Sequence, residues 1–128
     1  MQVITDLSSP AWPGSRAVVS IGMYDGVHVG HRTVISQVRE RAARTGARSV
    51  VVTFDRHPMS VVRPEQAPKL LTTLEHKLEL LSGTGVDAVV VVSFDEQQSH
   101  ETAPEFVERV LVHGLAAESV IVGTDFHF

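Results

Sequence analysis

The segment of this chain best suited to chemistry is Gly22-Met23-Tyr24-Asp25-Gly26-Val27-His28-Val29-Gly30-His31. Its glycines recur every four residues, so the backbone can turn tightly and a ligand can approach without obstruction by Cβ atoms. A helix beginning near Gly30 would offer unpaired amides and a partial positive charge at its mouth, a ready anion site. Two imidazoles, His28 and His31, stand at that mouth and can donate hydrogen bonds to phosphate oxygens. The pattern is neither a P-loop nor G-x-G-x-x-G. It suits nucleotidyl transfer, in which a phosphate on one substrate attacks the α-phosphorus of a nucleoside triphosphate. No protein nucleophile is needed, because alignment and neutralisation of charge on the α-phosphate and departing pyrophosphate supply most of the rate. Two plainer readings stand beside this one. The histidines could be metal ligands, although no nearby Cys or third His completes a shell. They could be solvated loop residues, against which their glycine-flanked position argues.

The elements around this segment place it. Ala17-Val18-Val19-Ser20-Ile21 reads as a buried strand ending at Gly22. From residue 30 to 44, Val34, Ile35, Val38 and Ala42 recur at helical spacing between charged residues, and Gly46 makes a natural stop. Residues 49–54 form a second β-branched strand. A long stretch from Asp55 to about Thr72, carrying Pro58, Pro64 and Pro68, has the character of a functional loop. Thr72-Thr73-Leu74-Glu75 matches a capping box that opens a helix with Leu74, Leu78 and Leu81 on one side, closed by Gly83 and Gly85. A third strand covers 88–93. Thr102-Ala103-Pro104-Glu105 is a second capping box, and its helix runs to His113-Gly114. A fourth strand covers 119–122. The opening fifteen residues, with Pro10, Pro13 and Gly14 around Trp12, read as an irregular lead-in with Trp12 as a packing anchor.

Alternating strands and helices predict an α/β fold, a parallel sheet with helices on both faces. Such sheets bind ligands beyond the carboxyl ends of their strands, where strand order reverses. The glycine and histidine segment falls at one of those ends.

Composition narrows the class. The 128 residues make about one domain, and 43% of them are apolar, enough for a core without staples. With no cysteine, disulfide scaffolds, thiolate metal sites and thiol nucleophiles are excluded. Eleven Lys and Arg against fifteen Asp and Glu give a charge of −4, which argues against nucleic acid or an anionic membrane as partner. The start lacks a signal-peptide layout, and Ala88-Val89-Val90-Val91-Val92 is far too short to span a bilayer. A cytoplasmic domain is expected.

The turn resembles the H-x-G-H signature of the nucleotidylyltransferase superfamily. More narrowly, it resembles the FAD synthetase (FMN adenylyltransferase) module of bacterial bifunctional riboflavin kinase/FAD synthetases, where G-x-F-D-G-V-H-x-G-H is typical. The similarity continues through Thr53-Phe54-Asp55-Arg56-His57-Pro58, Leu71-Thr72-Thr73, Lys77-Leu78-Glu79-Leu80-Leu81, Gly85-Val86-Asp87, Phe94-Asp95, Glu105-Phe106-Val107 and Val122-Gly123-Thr124-Asp125-Phe126. The later segments, in this order, single out the flavin family. The resemblance implies a Rossmann-like sheet and conversion of ATP and FMN to FAD and pyrophosphate with Mg²⁺. It implies that His28 and His31 contact the triphosphate, that Gly22, Asp25 and Gly30 shape the ATP pocket, and that Asp125 contacts the nucleotide. Asp55, His57 and Pro58 would bind the flavin. A strand order of 3-2-1-4, counting the expected strands, would put strands one and four beside the switch point. Arg56 departs from the family's D-P-H-P, and the polar residues 96–100 replace a more apolar stretch.

In relatives a further strand and an I-S-S-T-x-I-R-like motif follow Asp-Phe-x-Phe. The resemblance therefore implies a partial FAD synthetase domain over 1–128, truncated after the fourth strand, with the riboflavin kinase module outside it and activity impaired. The fourth strand would be an apolar edge open to self-association. Two alternatives remain: a non-catalytic ATP- or flavin-binding fragment, and an H-x-G-H nucleotidylyltransferase with another phosphorylated acceptor.

Overall fold

The computed structural model describes residues 1–24, 29–55, 73–93 and 101–123. In chain order the elements are β1 (Gln2–Ile4), β2 (Ala17–Ile21), α1 (Val29–Thr45), β3 (Arg48–Phe54), α2 (Leu74–Ser82), β4 (Ala88–Val92), α3 (Ala103–Phe106), a π-helical continuation (Val107–Gly114) and β5 (Ala117–Val120). The five strands lie in the order β1-β4-β3-β2-β5, all pairs parallel. The four strands expected from the sequence thus sit side by side in the order 3-2-1-4.

Period-two alternation distributes each strand between two cores. Val51, Val89 and Val91 meet Ile35 of α1 and Leu81 of α2, while Val18 packs with Val38 and Ala42 of α1. Val19, Ile21, Val50, Val52, Val90 and Val92 face the other way, onto Phe106, Val110, Leu111 and Leu115. Helices on both faces leave no wet side for β2, β3 and β4, which explains why residues 17–21, 49–53 and 88–92 are all buried.

The lead-in is not irregular throughout. Gln2, Val3 and Ile4 pair with Ala88, Val89 and Val90 of β4. Three residues show no periodicity of their own, so only the open edge of β4 makes them a strand. Leu7 then enters the core, and a Cβ added at Gly114 would lie 3.0 Å from Leu7 Cδ1. The Ala11 amide donates to the Gly114 carbonyl at 2.9 Å. Trp12 anchors this segment as expected: it packs on the core, its indole donates to Gln2 Oε1 at 3.3 Å, and the Arg48 guanidinium lies 4.7 Å from its ring.

Helix ends follow local chemistry with one shift. Gly46 ends α1 with φ 72, a backbone that side chains disfavour. Thr73, not Thr72, caps α2, accepting from the His76 amide at 3.1 Å. The capping pattern fitted Thr72 through Glu75, yet the next hydroxyl reaches the orphan amide. Thr102 caps α3 as expected, accepting from the Glu105 amide at 3.2 Å. Beyond Phe106 the helix widens, and Val110, Leu111 and Leu115 stay buried with Phe106 at a spacing longer than α-helical.

The last strand begins two residues before its expected start. Ala17 pairs with Ala117 and Val18 with Ser119, so the register slips around Glu118, whose carboxylate accepts from the Thr45 hydroxyl. The Ile121 amide still donates to the Val19 carbonyl at 2.8 Å. β5 is the sheet's edge, half-buried and exposed in alternation, with Val120 and Val122 43% and 44% exposed.

Candidate functional site

Order reverses at β2. Helices α1 and α2 pack on one face along the path from β2 through β3 to β4, whereas the π-helical segment packs on the other face before β5. The carboxyl ends of β2 and β5 therefore flank the switch point, where ligands bind in sheets of this kind. Val122 and Gly123 follow β5 there, and a Cβ at Gly123 would approach Val34 of α1 to 3.9 Å.

Gly22 leaves β2 with its amide donating to the Val52 carbonyl at 3.0 Å. Tyr24 then takes φ 51, a left-handed backbone that a bulky residue adopts only under constraint. The constraint is visible. The Tyr24 side chain folds back into the core, only 3% exposed, and its hydroxyl bonds the buried Ser20 hydroxyl. Burial pushes the phenol's pKa up, against the opposing effect of the Ser20 bond, so the ring stays neutral at ordinary pH. Its ring meets the half-buried His31 imidazole at a centroid distance of 4.9 Å and an interplanar angle of 51°. The histidine thus has one side braced by a rigid aromatic.

The two described glycines of the turn differ in what they accommodate. A Cβ at Gly22 would lie 3.1 Å from Tyr24 Cε2, so an added methyl would crowd the protein's own ring. A Cβ at Gly30 would meet nothing within 4 Å among the described residues. Gly22→Ala is expected to destabilise by about 1–3 kcal/mol through overpacking. Thermal denaturation of G22A beside G22A/Y24A checks the cause, since removing the ring should abolish the cost of the added methyl.

The first turn of α1 carries no acidic residue, and exposed Arg32 follows His31. A cation at a helix N-terminus opposes the macrodipole and suits a bound anion. Sequence reasoning passed over Arg32, although its charge was legible once the helix start was placed.

At the end of β3, Thr53 is buried and its hydroxyl donates to the Met23 carbonyl at 2.9 Å. Asp55 is half-buried, its amide donating to the Val92 carbonyl at 3.2 Å. The structure therefore brings Gly22, Tyr24 and His31 together, with the start of the Asp55 segment tied to them through Thr53 and Met23. Asp25, His28, Arg56, His57, Pro58, Asp125 and the polar stretch 96–100 lie outside the described residues. His76 and His113 are exposed, on α2 and on the π-helical segment. Among the described residues no three His, Asp or Glu side chains gather into a metal-binding group.

Fold and turn together define the class: a doubly wound, Rossmann-like α/β protein with a histidine-bearing glycine turn at its switch point. Residues 12–128 match the family model for FAD synthetase, and the chain belongs to that family. It is 38% identical over 128 residues to the bifunctional riboflavin kinase/FMN adenylyltransferase of Pseudomonas fluorescens, covering 100% of this chain and 41% of that protein. The enzymes of the same name from Listeria monocytogenes and Escherichia coli K12 are 37% identical over 123 residues and 35% over 116. These alignments cover 95% and 91% of this chain, and 39% and 37% of the relatives. The chain thus spans about two fifths of the length of the curated relatives it matches. Among solved structures, a macrolide-efflux protein from Streptococcus pneumoniae superposes with a TM-score of 0.82 over 98% of this chain and 48% of its own, at 24% identity. That likeness shows the fold alone.

Proposed function

We propose that this chain is an FMN adenylyltransferase module, joining ATP and FMN into FAD and pyrophosphate. What carries the reading is the FAD synthetase match running across the Gly22–His31 turn, which lies at the switch point of the sheet. An FMN phosphate oxygen attacks the α-phosphorus of ATP, the bond between the α-phosphorus and the bridging oxygen breaks, and pyrophosphate leaves with that oxygen. The protein's part is to hold the two substrates in line and to offset charge on the phosphates.

In this reading the triphosphate enters over Gly30, where the amides of the first α1 turn, His31 and Arg32 offer hydrogen bonds and positive charge. His28 shares this work with His31, Asp25 shapes the pocket, and Asp125 contacts the nucleotide. Asp55, His57 and Pro58 belong to the flavin side. Mg²⁺ would accompany the triphosphate and offset part of its charge; among the described residues no cluster of His, Asp or Glu would hold it. Riboflavin phosphorylation is assigned to no residue of this chain. No helix among the described residues is long and apolar enough to cross a membrane, and the reading places the protein in the cytoplasm with its ATP. The open edge of β5 is the surface at which a further strand or a second copy would pair.

The test is incubation of the protein with ATP, FMN and Mg²⁺, with FAD resolved by chromatography and pyrophosphate assayed in parallel. Equimolar FAD and pyrophosphate are expected. Calorimetric binding of ATP or FMN with no pyrophosphate released would replace this reading with a non-catalytic one. Pyrophosphate release with a different phosphorylated acceptor would change the substrate.

A further inference from the structure

Lys77 is the one charged residue among the described residues that is almost wholly buried, 2% exposed on the inner side of α2. Lysine is rarely buried to this extent unless its ammonium is paired, because desolvation penalises the charge. Its Nζ donates to the Phe54 carbonyl at 3.0 Å and to the Thr53 hydroxyl at 3.3 Å. Thr53 passes the connection on, its own hydroxyl donating to the Met23 carbonyl at 2.9 Å. Met23 immediately precedes Tyr24, whose left-handed backbone turns its ring onto His31. The interaction is thus continuous from α2 through the end of β3 to the imidazole.

The same ammonium ties the end of β3 to α2, the two elements that flank the segment 56–72 in the chain. Phe54 stands two residues before that segment, and α2 begins two residues after it. A leucine or methionine would fill the volume with less desolvation cost, so packing alone does not account for a cation here.

We propose that Lys77 is a positioning residue for the adenylyl-transfer site: through Thr53 and Met23 it holds the turn that presents His31, and through Phe54 it fixes the end of β3 against α2. This rests on the function proposed above. An ammonium suits the task because it offers three donors from one point, enough to gather groups from separate strands and turns. The hydroxyl of Thr53, donating on one side and accepting on the other, is polarised by the charge behind it.

The experiment compares Lys77→Met, which keeps length and apolar volume, Thr53→Val, which keeps shape and removes the relay, and the double variant. The expected result is a kcat for FAD formation about ten- to a hundredfold lower in each single variant, as a displaced catalytic group produces. KM for ATP should change far less. The double variant should be no slower than the slower single one, since both break the same linkage. In two-dimensional NMR, the His31 imidazole resonances, assigned with His31→Gln, should move in both variants while those of His113 stay in place. Unchanged kcat and unchanged His31 resonances in a folded K77M protein would overturn the proposal, as would losses that multiply in the double variant. Should K77M fail to fold, T53V carries the same test with Lys77 intact. A wild-type protein that makes no FAD would sink the activity, while the imidazole resonances would still decide whether Lys77 acts on His31.

Discussion

On the function proposed above, replacing His31 with alanine is expected to slow FAD formation by about a hundred- to a thousandfold, the range seen when one preorganised donor is removed from a site of developing charge. The expectation has a structural basis. The imidazole sits in the first turn of α1, at the switch point, and Tyr24 braces it at 4.9 Å between ring centroids. A donor already held in place needs no reorganisation when charge builds on the phosphates, so its loss falls on kcat more than on ATP binding. Its side chain is only half-buried and α1 keeps Ile35, Val38 and Ala42 in the core, so the fold should survive. Steady-state kinetics beside circular dichroism check both halves. His28→Ala should lower turnover in the same manner. His76→Ala and His113→Ala, on exposed helix positions, should leave the rate as it was. An H31A protein as fast as the wild type would remove the imidazole from the mechanism.

Tyr24→Ala is expected to cost about 3–5 kcal/mol of stability, the range for deleting a buried aromatic. The ring fills space between Gly22, Ser20 and His31 and joins the core beneath α1 and α2. Alanine leaves that space empty while retaining a left-handed backbone that costs about 1–3 kcal/mol and is no longer offset by the ring's contacts. Tyr24→Phe separates the parts. It keeps the ring and removes the hydroxyl from its bond with Ser20, so a loss of about 1–3 kcal/mol is expected from the buried group left behind. Urea denaturation of the two variants reads these differences directly. The activity of Y24F should stay nearer to wild type than that of Y24A, because the brace on His31 is the ring and not the hydroxyl.

Both variants act on a residue whose part was only half legible in the sequence. Tyr24 occupies the position where the related motif carries phenylalanine, which marks an aromatic at the turn. That its ring would cover Gly22 could not be read locally. The four-residue spacing of the glycines suggested room for a ligand at each, yet at Gly22 the room is taken by the chain itself. Likewise Lys77 stands in a segment where Leu74, Leu78 and Leu81 set the buried side of α2. Helical periodicity places it near that stripe, but it does not show that Thr53 and Phe54 converge on the buried ammonium.

By itself the sequence determined the alternation of strands and helices, the class of sheet, the position of the His31 turn between β2 and α1, and the family. These follow from local signals: β-branched runs, helical spacing, a glycine after α1 and a hydroxyl before α3. Tertiary structure alone decided that Gln2–Ile4 is a strand, that β5 starts at Ala117, that Thr73 caps α2, and that Tyr24 and Lys77 brace the turn. The two strands and Lys77 depend on partners far away in the chain, the free edge of β4, the start of β2 and the carboxyl end of β3, whereas Thr73 and Tyr24 find theirs within seven residues, at His76, Ser20 and His31. A hydrogen bond or a contact between such distant residues leaves no periodic trace in either stretch, because its energy is gained only once the sheet has brought them together.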